Sequence, residues 1–144
     1  MKKIESKIVI NASAEKVWNT LMDHPSYSKW NPFILKIGGS TQVGEVLQAQ
    51  LKIKGIKPMD IKPKVIENIA NKEFRWKGKL FVKGLFDGEH YFQLTTISPD
   101  KVQFTQGEIF TGVLSSVLFN MIGRDTLAGF EAMNSALKSV IEDL

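Results

Sequence analysis

Few side chains in this chain could carry out chemistry, and the most promising are His90, Gln106 and Glu108. The sequence has 144 residues, no cysteine and only two histidines, His24 and His90. Thiol nucleophiles, disulfides and Cys–zinc sites are therefore excluded. Two histidines cannot form a three-His metal site within one chain. We expect no metal and no cofactor.

Strand parity predicts that these three polar residues lie together. The segment Ser98-Pro99-Asp100 is typical of a tight connection between two antiparallel strands. Residues that face each other across it then have numbers adding to 198, so His90 faces Glu108 and Phe92 faces Gln106. The same face carries mostly apolar residues, which marks it as the inward one. The other apolar residues on it are Leu94, Val102, Phe104 and Phe110.

An inward-pointing histidine and carboxylate allow two interpretations. His90 and Glu108 can act as general acid and base on a carbonyl or phenol, as in an aldol-type cyclisation. Alternatively they satisfy each other, or Glu108 caps a backbone amide or pairs with Arg124, because buried polar groups are paired in any protein. We favour the structural or ligand-orienting role. The sequence has no Gly-rich phosphate loop, His-Glu-x-x-His pair or Gly-x-Ser-x-Gly elbow.

The elements that would position these residues follow a simple order. A β-branched run at 4–10 predicts a first strand, and Ser13 is a good N-cap for a helix that Pro25 ends. One further helical turn follows at 26–30. Alternating apolar and polar residues then predict antiparallel strands, including one over 59–65 with Pro63 at an edge or bulge. After Gly112 the apolar period is helical for some seven turns.

This order predicts an α+β fold in which a curved antiparallel sheet is wrapped around a long C-terminal helix. Such a sheet must bury its inner face, and the long helix is the large apolar element available to cover it. We expect an internal cavity between them, open at one end. Arg124 could lie near its mouth, although a solvated position on the helix surface is favoured for an arginine. The candidate ligand-binding residues are Trp30, Phe33, Met59, Trp76, Phe86, His90, Phe92, Phe104, Gln106, Glu108, Phe110, Met121 and Arg124.

The charge is unevenly distributed. The formal net charge is +4, but the segment 52–83 carries ten basic and three acidic residues. This basic segment could bind an acidic partner, although lysines at alternate strand positions usually only solvate a sheet face. The longest uncharged run, 109–123, is too short to span a bilayer, and the start of the chain lacks an apolar signal region. We expect a cytoplasmic protein that does not bind nucleic acid.

Five segments carry a family resemblance. They are 10–18, 24–34 with its Trp-Asn-Pro-Phe sequence, 74–78, 88–92, and 106–114 with its Glu-x-Phe-x-Gly pattern. In this order they resemble the START-like helix-grip superfamily (SRPBCC), specifically its polyketide cyclase/dehydrase-type branch. The resemblance implies a helix-grip fold with two short helices after the first strand, and a single START-like domain over 1–144. It implies a cavity for small apolar molecules, without fixing an activity.

Three functions remain open. The leading hypothesis is the binding of a small hydrophobic or aromatic ligand in an enclosed cavity, with His90, Gln106 and Glu108 setting its orientation. The second is an enzyme of cyclase, dehydratase or hydrolase type that uses His90 and Glu108 as an acid/base pair. The third is an interaction protein that uses the basic segment 52–83. The oligomeric state, monomer or weak homodimer, is left open.

Overall fold

The computed structural model describes residues 2–79 and 87–143. Three α-helices, eight strands and one 3₁₀ turn lie in these ranges. In chain order the elements are β1 (Lys2–Ile10), α1 (Ala14–Met22), the 3₁₀ turn (His24–Ser26), α2 (Tyr27–Trp30), β2 (Ile34–Gly38), β3 (Gln48–Leu51), β4 (Met59–Ile61), β5 (Lys64–Ile69), β6 (Glu73–Lys79), β7 (Asp87–Ser98), β8 (Lys101–Thr111) and α3 (Ser115–Glu142).

The strands form two antiparallel sheets that α3 closes on one side. The larger sheet has the order β1-β8-β7-β6-β5, and the smaller has the order β2-β3-β4. The helix α3 packs against β1 and β8, and α1 and α2 pack against α3. The buried core takes residues from both sheets and all three helices. The predicted α+β class, with a sheet wrapped around the long C-terminal helix and two short helices after β1, is confirmed.

The helix boundaries follow from local sequence. Ser13 Oγ accepts a hydrogen bond from the Lys16 amide at 3.2 Å, so the predicted N-cap is confirmed. Pro25 lies in the 3₁₀ turn that separates α1 from α2. Directly after β8, Gly112 has a φ of +110°, a backbone conformation that favours glycine. This glycine lets the chain turn from β8 into α3.

The predicted strand over 59–65 is wrong in one respect, because the chain changes sheets within it. Residues 59–61 form β4 at the edge of the smaller sheet, and β5 begins at Lys64 in the larger sheet. Pro63 lies between them. Its carbonyl accepts a hydrogen bond from the Leu47 amide at 2.8 Å, but proline has no N–H with which to return one to Leu47. Just beyond it, Lys64 forms an isolated bridge to Val46 while β5 pairs with β6 in the larger sheet.

The predicted register of β7 and β8 is confirmed up to Thr96; the register then shifts, and Ser98 belongs to β7 and faces Lys101. His90 faces Glu108 and Phe92 faces Gln106. On the opposite face of the same strands, Tyr91 lies directly over Gly107: a Cβ atom there would be 2.2 Å from the Tyr91 Cζ atom. The Tyr91 hydroxyl donates a hydrogen bond to the Glu5 carboxylate on β1. The two faces of this hairpin thus carry different chemistry.

His24 is buried against aromatic rings and makes stability depend on pH. Its ring lies 5.2 Å from that of Tyr27 and 5.8 Å from that of Phe74. Burial lowers its pKa from 6.5 to about 4, against the opposing effect of the Asp23 charge. Between these two pH values the unfolded chain binds the proton and the folded chain does not. Stability from this group is therefore complete above pH 6.5 and is lost as the pH falls towards 4.

We expect a His24→Gln variant to lose most of this dependence. The wild-type free energy of unfolding should fall by about 2–3 kcal/mol more than that of the variant between pH 7 and pH 4.5. Urea unfolding of both proteins at the two pH values measures the difference. Because the wild type and the variant have the same carboxylates, the contribution of these groups to the pH dependence cancels in the difference. Parallel pH curves would show that His24 does not titrate with folding.

Candidate functional site

A row of four polar side chains crosses the interior from β8 to α3. Glu108 Oε1 lies 3.2 Å from His90 Nδ1, and Gln106 Oε1 lies 2.9 Å from His90 Nε2. Gln106 Nε2 donates to Asn134 Oδ1 on α3 at 2.8 Å. All four residues are buried. The sequence prediction that His90, Gln106 and Glu108 point inward therefore agrees with the structure, and Asn134 extends the row.

Aromatic rings enclose the imidazole of His90. The ring centroids of Phe92 and Phe130 lie 4.8 and 5.0 Å from it, that of Trp76 lies 5.2 Å away, and that of Phe33 lies 6.1 Å away in a stacked arrangement. These rings keep water from the imidazole. Polar contacts within the row consequently act in a medium of low polarity, where they are stronger than at the surface.

Phe33 reaches this enclosure because two local features hold it there. The side chain of Asn31 accepts hydrogen bonds from the amides of Phe33 and Ile34 at 2.9 and 2.8 Å, which fixes the chain after α2. The Phe33 ring then packs onto Gly129 of α3, where a Cβ atom would be 2.7 Å from Phe33 Cδ1. Part of the Trp-Asn-Pro-Phe sequence thus builds one wall of the site.

The partners of His90 define the direction of its hydrogen bonds. Gln106 Oε1 can only accept, so His90 Nε2 carries a proton and donates it. His90 Nδ1 and Glu108 Oε1 are close enough to share a second proton. Both ring nitrogens are therefore engaged. The Glu108 side chain is 8% exposed and that of His90 is 1% exposed, so Glu108 is the member of this pair that a ligand could touch.

The remaining candidate residues are spread over different environments. Phe104 is buried and stacks on Phe92, with ring centroids 5.9 Å apart, and Phe110 is buried beside Phe119. Met59 is half-buried and packs against the core. Trp30 donates from Nε1 to Ser26 Oγ at 3.2 Å. Phe86 lies outside the described residues.

Met121 and Arg124 are not in the interior. Met121 is 71% exposed and Arg124 is also exposed. They lie off the buried face of α3, which passes through Ile122 and Thr126, about 100° and about 140° of helix rotation from Met121. A role for either residue beside a pocket stays a prediction. The pairing of Glu108 with Arg124 is also wrong, since Glu108 forms its ion pair with His90.

Two residues of the site were missed by sequence reasoning. Phe130 was assigned only to the apolar stripe of the helix, and Asn134 was not assigned at all. Asn134 lies one turn after Phe130 and one turn before Leu137, both of which are fully buried. A polar residue inside an apolar helical stripe is the signal that could have identified it.

Three grooves lined by described residues open to the surface, and none of these three is lined by His90 or Glu108. The first, of about 710 Å³, runs along α1 and α2 and includes Trp30 and Val140. The second, of about 880 Å³, lies on the smaller sheet, and the third, of about 790 Å³, lies beside the β5–β6 turn. An enclosed cavity beneath α3 stays a prediction. Within residues 2–79 and 87–143, no helix is long and apolar enough to cross a membrane.

The fold and the site together define a class of protein. A curved antiparallel sheet closed by a long C-terminal helix, with polar groups on its inner face, is the helix-grip architecture. The sequence matches the model of the family described as polyketide cyclase / dehydrase and lipid transport over residues 1–142. The chain belongs to this family. No match to a curated protein sequence was found.

Solved structures share this fold at low sequence identity. A START superfamily protein from Mycobacterium smegmatis superposes with a TM-score of 0.73 at 18% identity, covering 98% of this chain and 97% of that one. The Zhui aromatase/cyclase from Streptomyces sp. R1128 gives 0.70 at 14% identity, covering 99% and 97%. Norcoclaurine synthase from Thalictrum flavum, solved with dopamine and hydroxybenzaldehyde, gives 0.73 at 16% identity, covering 99% and 87%. At these identities the likeness concerns the fold alone.

Proposed function

We propose that this chain binds a small hydrophobic or aromatic molecule between the sheet and α3, with Glu108 as its polar contact. The observation that carries the proposal is the row Glu108–His90–Gln106–Asn134, set among aromatic rings with Glu108 more accessible than His90. Burying four polar side chains is costly unless each finds partners. A row that ends on its more exposed carboxylate is suited to orient a ligand that reaches the interior.

Apolar contact would supply most of the affinity. Removing apolar surface from water contributes about 25 cal/mol per Å². Such contact could come from Phe110, buried on the same strand as Glu108, and from Ile122, buried on α3, which packs against β8. The titles of two structural neighbours name aromatic chemistry, namely an aromatase/cyclase and an enzyme solved with dopamine and hydroxybenzaldehyde. An aromatic ligand with a polar substituent is consistent with both arguments.

A second candidate function is acid/base catalysis of a cyclase, dehydratase or hydrolase type. The observation that favours it is the distance of 3.2 Å between His90 Nδ1 and Glu108 Oε1, which allows a proton to pass between them. Catalysis would require a reacting oxygen or carbon-bound proton within hydrogen-bond reach of Glu108. Turnover of a bound compound that stops in a His90→Ala variant would favour this function over binding alone.

The interaction hypothesis has weaker support. Arg75, within the basic segment 52–83, is already paired with Glu73 at 3.0 Å and Glu89 at 2.6 Å. Its charge is therefore balanced within the sheet. Binding to an acidic partner through this segment would weaken steeply with salt. We propose a cytoplasmic protein that does not bind nucleic acid, and leave its oligomeric state open.

Binding of 2-naphthol tests the proposed function. We expect the wild-type protein to bind it and a Glu108→Leu variant to bind it about tenfold more weakly, because one buried hydrogen bond is lost. A matched control is Glu89→Leu, which removes a carboxylate from the outer face of β7. Calorimetric titration of the three proteins gives the affinities. Native mass spectrometry of freshly purified protein would show whether a small molecule co-purifies.

Two results would contradict the proposed binding between the sheet and α3. If 2-naphthol does not bind, or if Glu108→Leu and Glu89→Leu weaken binding equally, the interior row is not the contact. An equal loss would place the ligand on the surface or attribute the effect to net charge.

A further inference from the structure

The end of the polar row has an unpaired donor. Asn134 Oδ1 accepts from Gln106, but Asn134 Nδ2 is buried and finds no acceptor among residues 2–79 and 87–143. The side-chain oxygen of Asn134 is thus the acceptor for Gln106. This matters because a glutamine amide can offer either its oxygen or its nitrogen to a neighbour. The partner of Gln106 Nε2 decides which of the two reaches His90.

The direction in which the hydrogen bonds of the row are donated determines how many protons His90 and Glu108 hold between them. With Gln106 Oε1 facing it, His90 Nε2 must donate, and one further proton lies between His90 Nδ1 and Glu108. The pair of side chains then has a net charge of zero. If the Gln106 amide were reversed, its nitrogen would donate to a bare Nε2. A neutral His90 would then donate from Nδ1 to an ionised Glu108, and the pair would carry a net charge of −1.

Burial favours the neutral arrangement. Phe33, Trp76, Phe92 and Phe130 surround the imidazole, and among the described residues the ion-pair partner of Glu108 is His90. An uncompensated charge in such surroundings is expensive. The placement of the amides and the cost of burying charge therefore lead to the same proton arrangement.

We propose that Asn134 is a positioning residue that, by accepting a hydrogen bond from Gln106, keeps His90 protonated on Nε2 and the Glu108–His90 pair neutral. This part concerns the free protein. A second part rests on the proposed function: the pair selects a neutral ligand that donates a hydrogen bond. In either position of the shared proton, the oxygen of Glu108 not bonded to His90 is an acceptor. A phenol or alcohol can donate to it, an ether cannot, and a cationic amine gains no net charge attraction.

The imidazole nitrogens of the free protein test the first part. With only two histidines in the chain, long-range ¹H–¹⁵N correlation spectra at pH 7 show two sets of signals, which sequential assignment identifies. We expect Nε2 of His90 to be protonated in the wild type. In an Asn134→Leu variant the Gln106 amide is free to reverse, and we expect part of the population to have His90 protonated on Nδ1 alone, a part limited by the cost of burying the charge. Met133→Leu, on the neighbouring buried residue, should leave the wild-type signals unchanged.

Either of two results would overturn the assignment. One is a wild-type His90 with an unprotonated Nε2, which would mean that the row runs in the opposite direction. The other is an unchanged Nε2 proton in Asn134→Leu, which would mean that Asn134 does not position Gln106. If Asn134→Leu does not fold, Asn134→Ala provides the comparison, and the wild-type spectrum decides the direction by itself.

Ligand preference tests the second part. We expect 2-naphthol to bind the wild type about tenfold more tightly than 2-methoxynaphthalene, which has the same ring and oxygen but no donor. In Asn134→Leu, 2-(aminomethyl)naphthalene should gain affinity relative to 2-naphthol, because the pair then carries a negative charge in part of the population. Equal affinities of naphthol and ether overturn the selection of donors. If no naphthalene binds, the proposed function fails, and the spectra still decide the role of Asn134.

Discussion

Replacing His90 by leucine lowers the free energy of unfolding by about 3–5 kcal/mol, and replacing Glu108 as well restores part of that loss. The single substitution leaves Glu108 and the oxygen of Gln106 buried without their partner, and breaking a buried ion pair from one side has a cost of this size. The double His90→Leu/Glu108→Leu variant removes the unpaired carboxylate and fills its place with apolar atoms. Urea unfolding of the wild type and of both variants measures the effect.

The control is an ion pair on the opposite face of the same strand. Glu89 pairs with Arg75, and both side chains are partly exposed. A Glu89→Leu variant should therefore change the free energy of unfolding by about 1 kcal/mol or less. If His90→Leu lowers the free energy of unfolding no more than Glu89→Leu does, the interior row does not stabilise the fold. A double variant less stable than His90→Leu would contradict the pairing of the two residues.

Truncating Phe130 to alanine is the second large effect, with an expected loss of about 3–5 kcal/mol in the free energy of unfolding. Phe130 is fully buried, and its ring lies 5.3 Å from that of Phe33 and 5.0 Å from that of His90. Its removal leaves a cavity between α3 and the inner face of the sheet. Because these rings also exclude water from His90, the imidazole should become accessible to solvent at the same time.

Thermal and urea unfolding measure the stability, and two further variants define the comparison. Phe130→Leu keeps most of the side-chain volume and should cost about 1.5 kcal/mol or less. Phe119→Ala removes a half-buried ring near the start of α3, beside Phe110, and should cost less than Phe130→Ala. Equal losses for Phe130→Ala and Phe119→Ala would mean that Phe130 is not a central packing residue.

The parts of the fold that depend on neighbours in sequence could be predicted. Ser13 caps α1 through a hydrogen bond to Lys16, three residues away. The register of β7 and β8 follows from a short connection and from the alternation of side chains, so the meeting of His90 and Glu108 required no knowledge of the rest of the molecule. The closure of the sheet by α3 followed from its length and apolar stripe.

The parts of the fold that depend on distant contacts could not be predicted from the sequence. Pro63 was expected at an edge or a bulge and follows the edge strand β4, but the crossing to the larger sheet depends on distant partners, namely Leu47, sixteen residues earlier, and the strand β6. Met121 and Ile122 share an apolar run, and only packing against β1 and β8 selects Ile122 as the buried one. Asn134 acquires its role from Gln106, a residue on another element. Local pattern contains no information on such partners.

The contact of Tyr91 with Gly107 has a consequence for how the hairpin is aligned. A slip of β8 by two residues keeps every side chain on its own face, so alternation alone does not prevent it. Such a slip would place Thr105 or Ile109 under the Tyr91 ring, where only a glycine leaves room. On the inner face it would move Glu108 away from His90. Each face therefore excludes the misaligned pairing separately: the outer face by the shape of the Tyr91–Gly107 contact, and the inner face by the hydrogen bond between His90 and Glu108. A mutation that removes one of these contacts leaves the other to keep the two strands aligned.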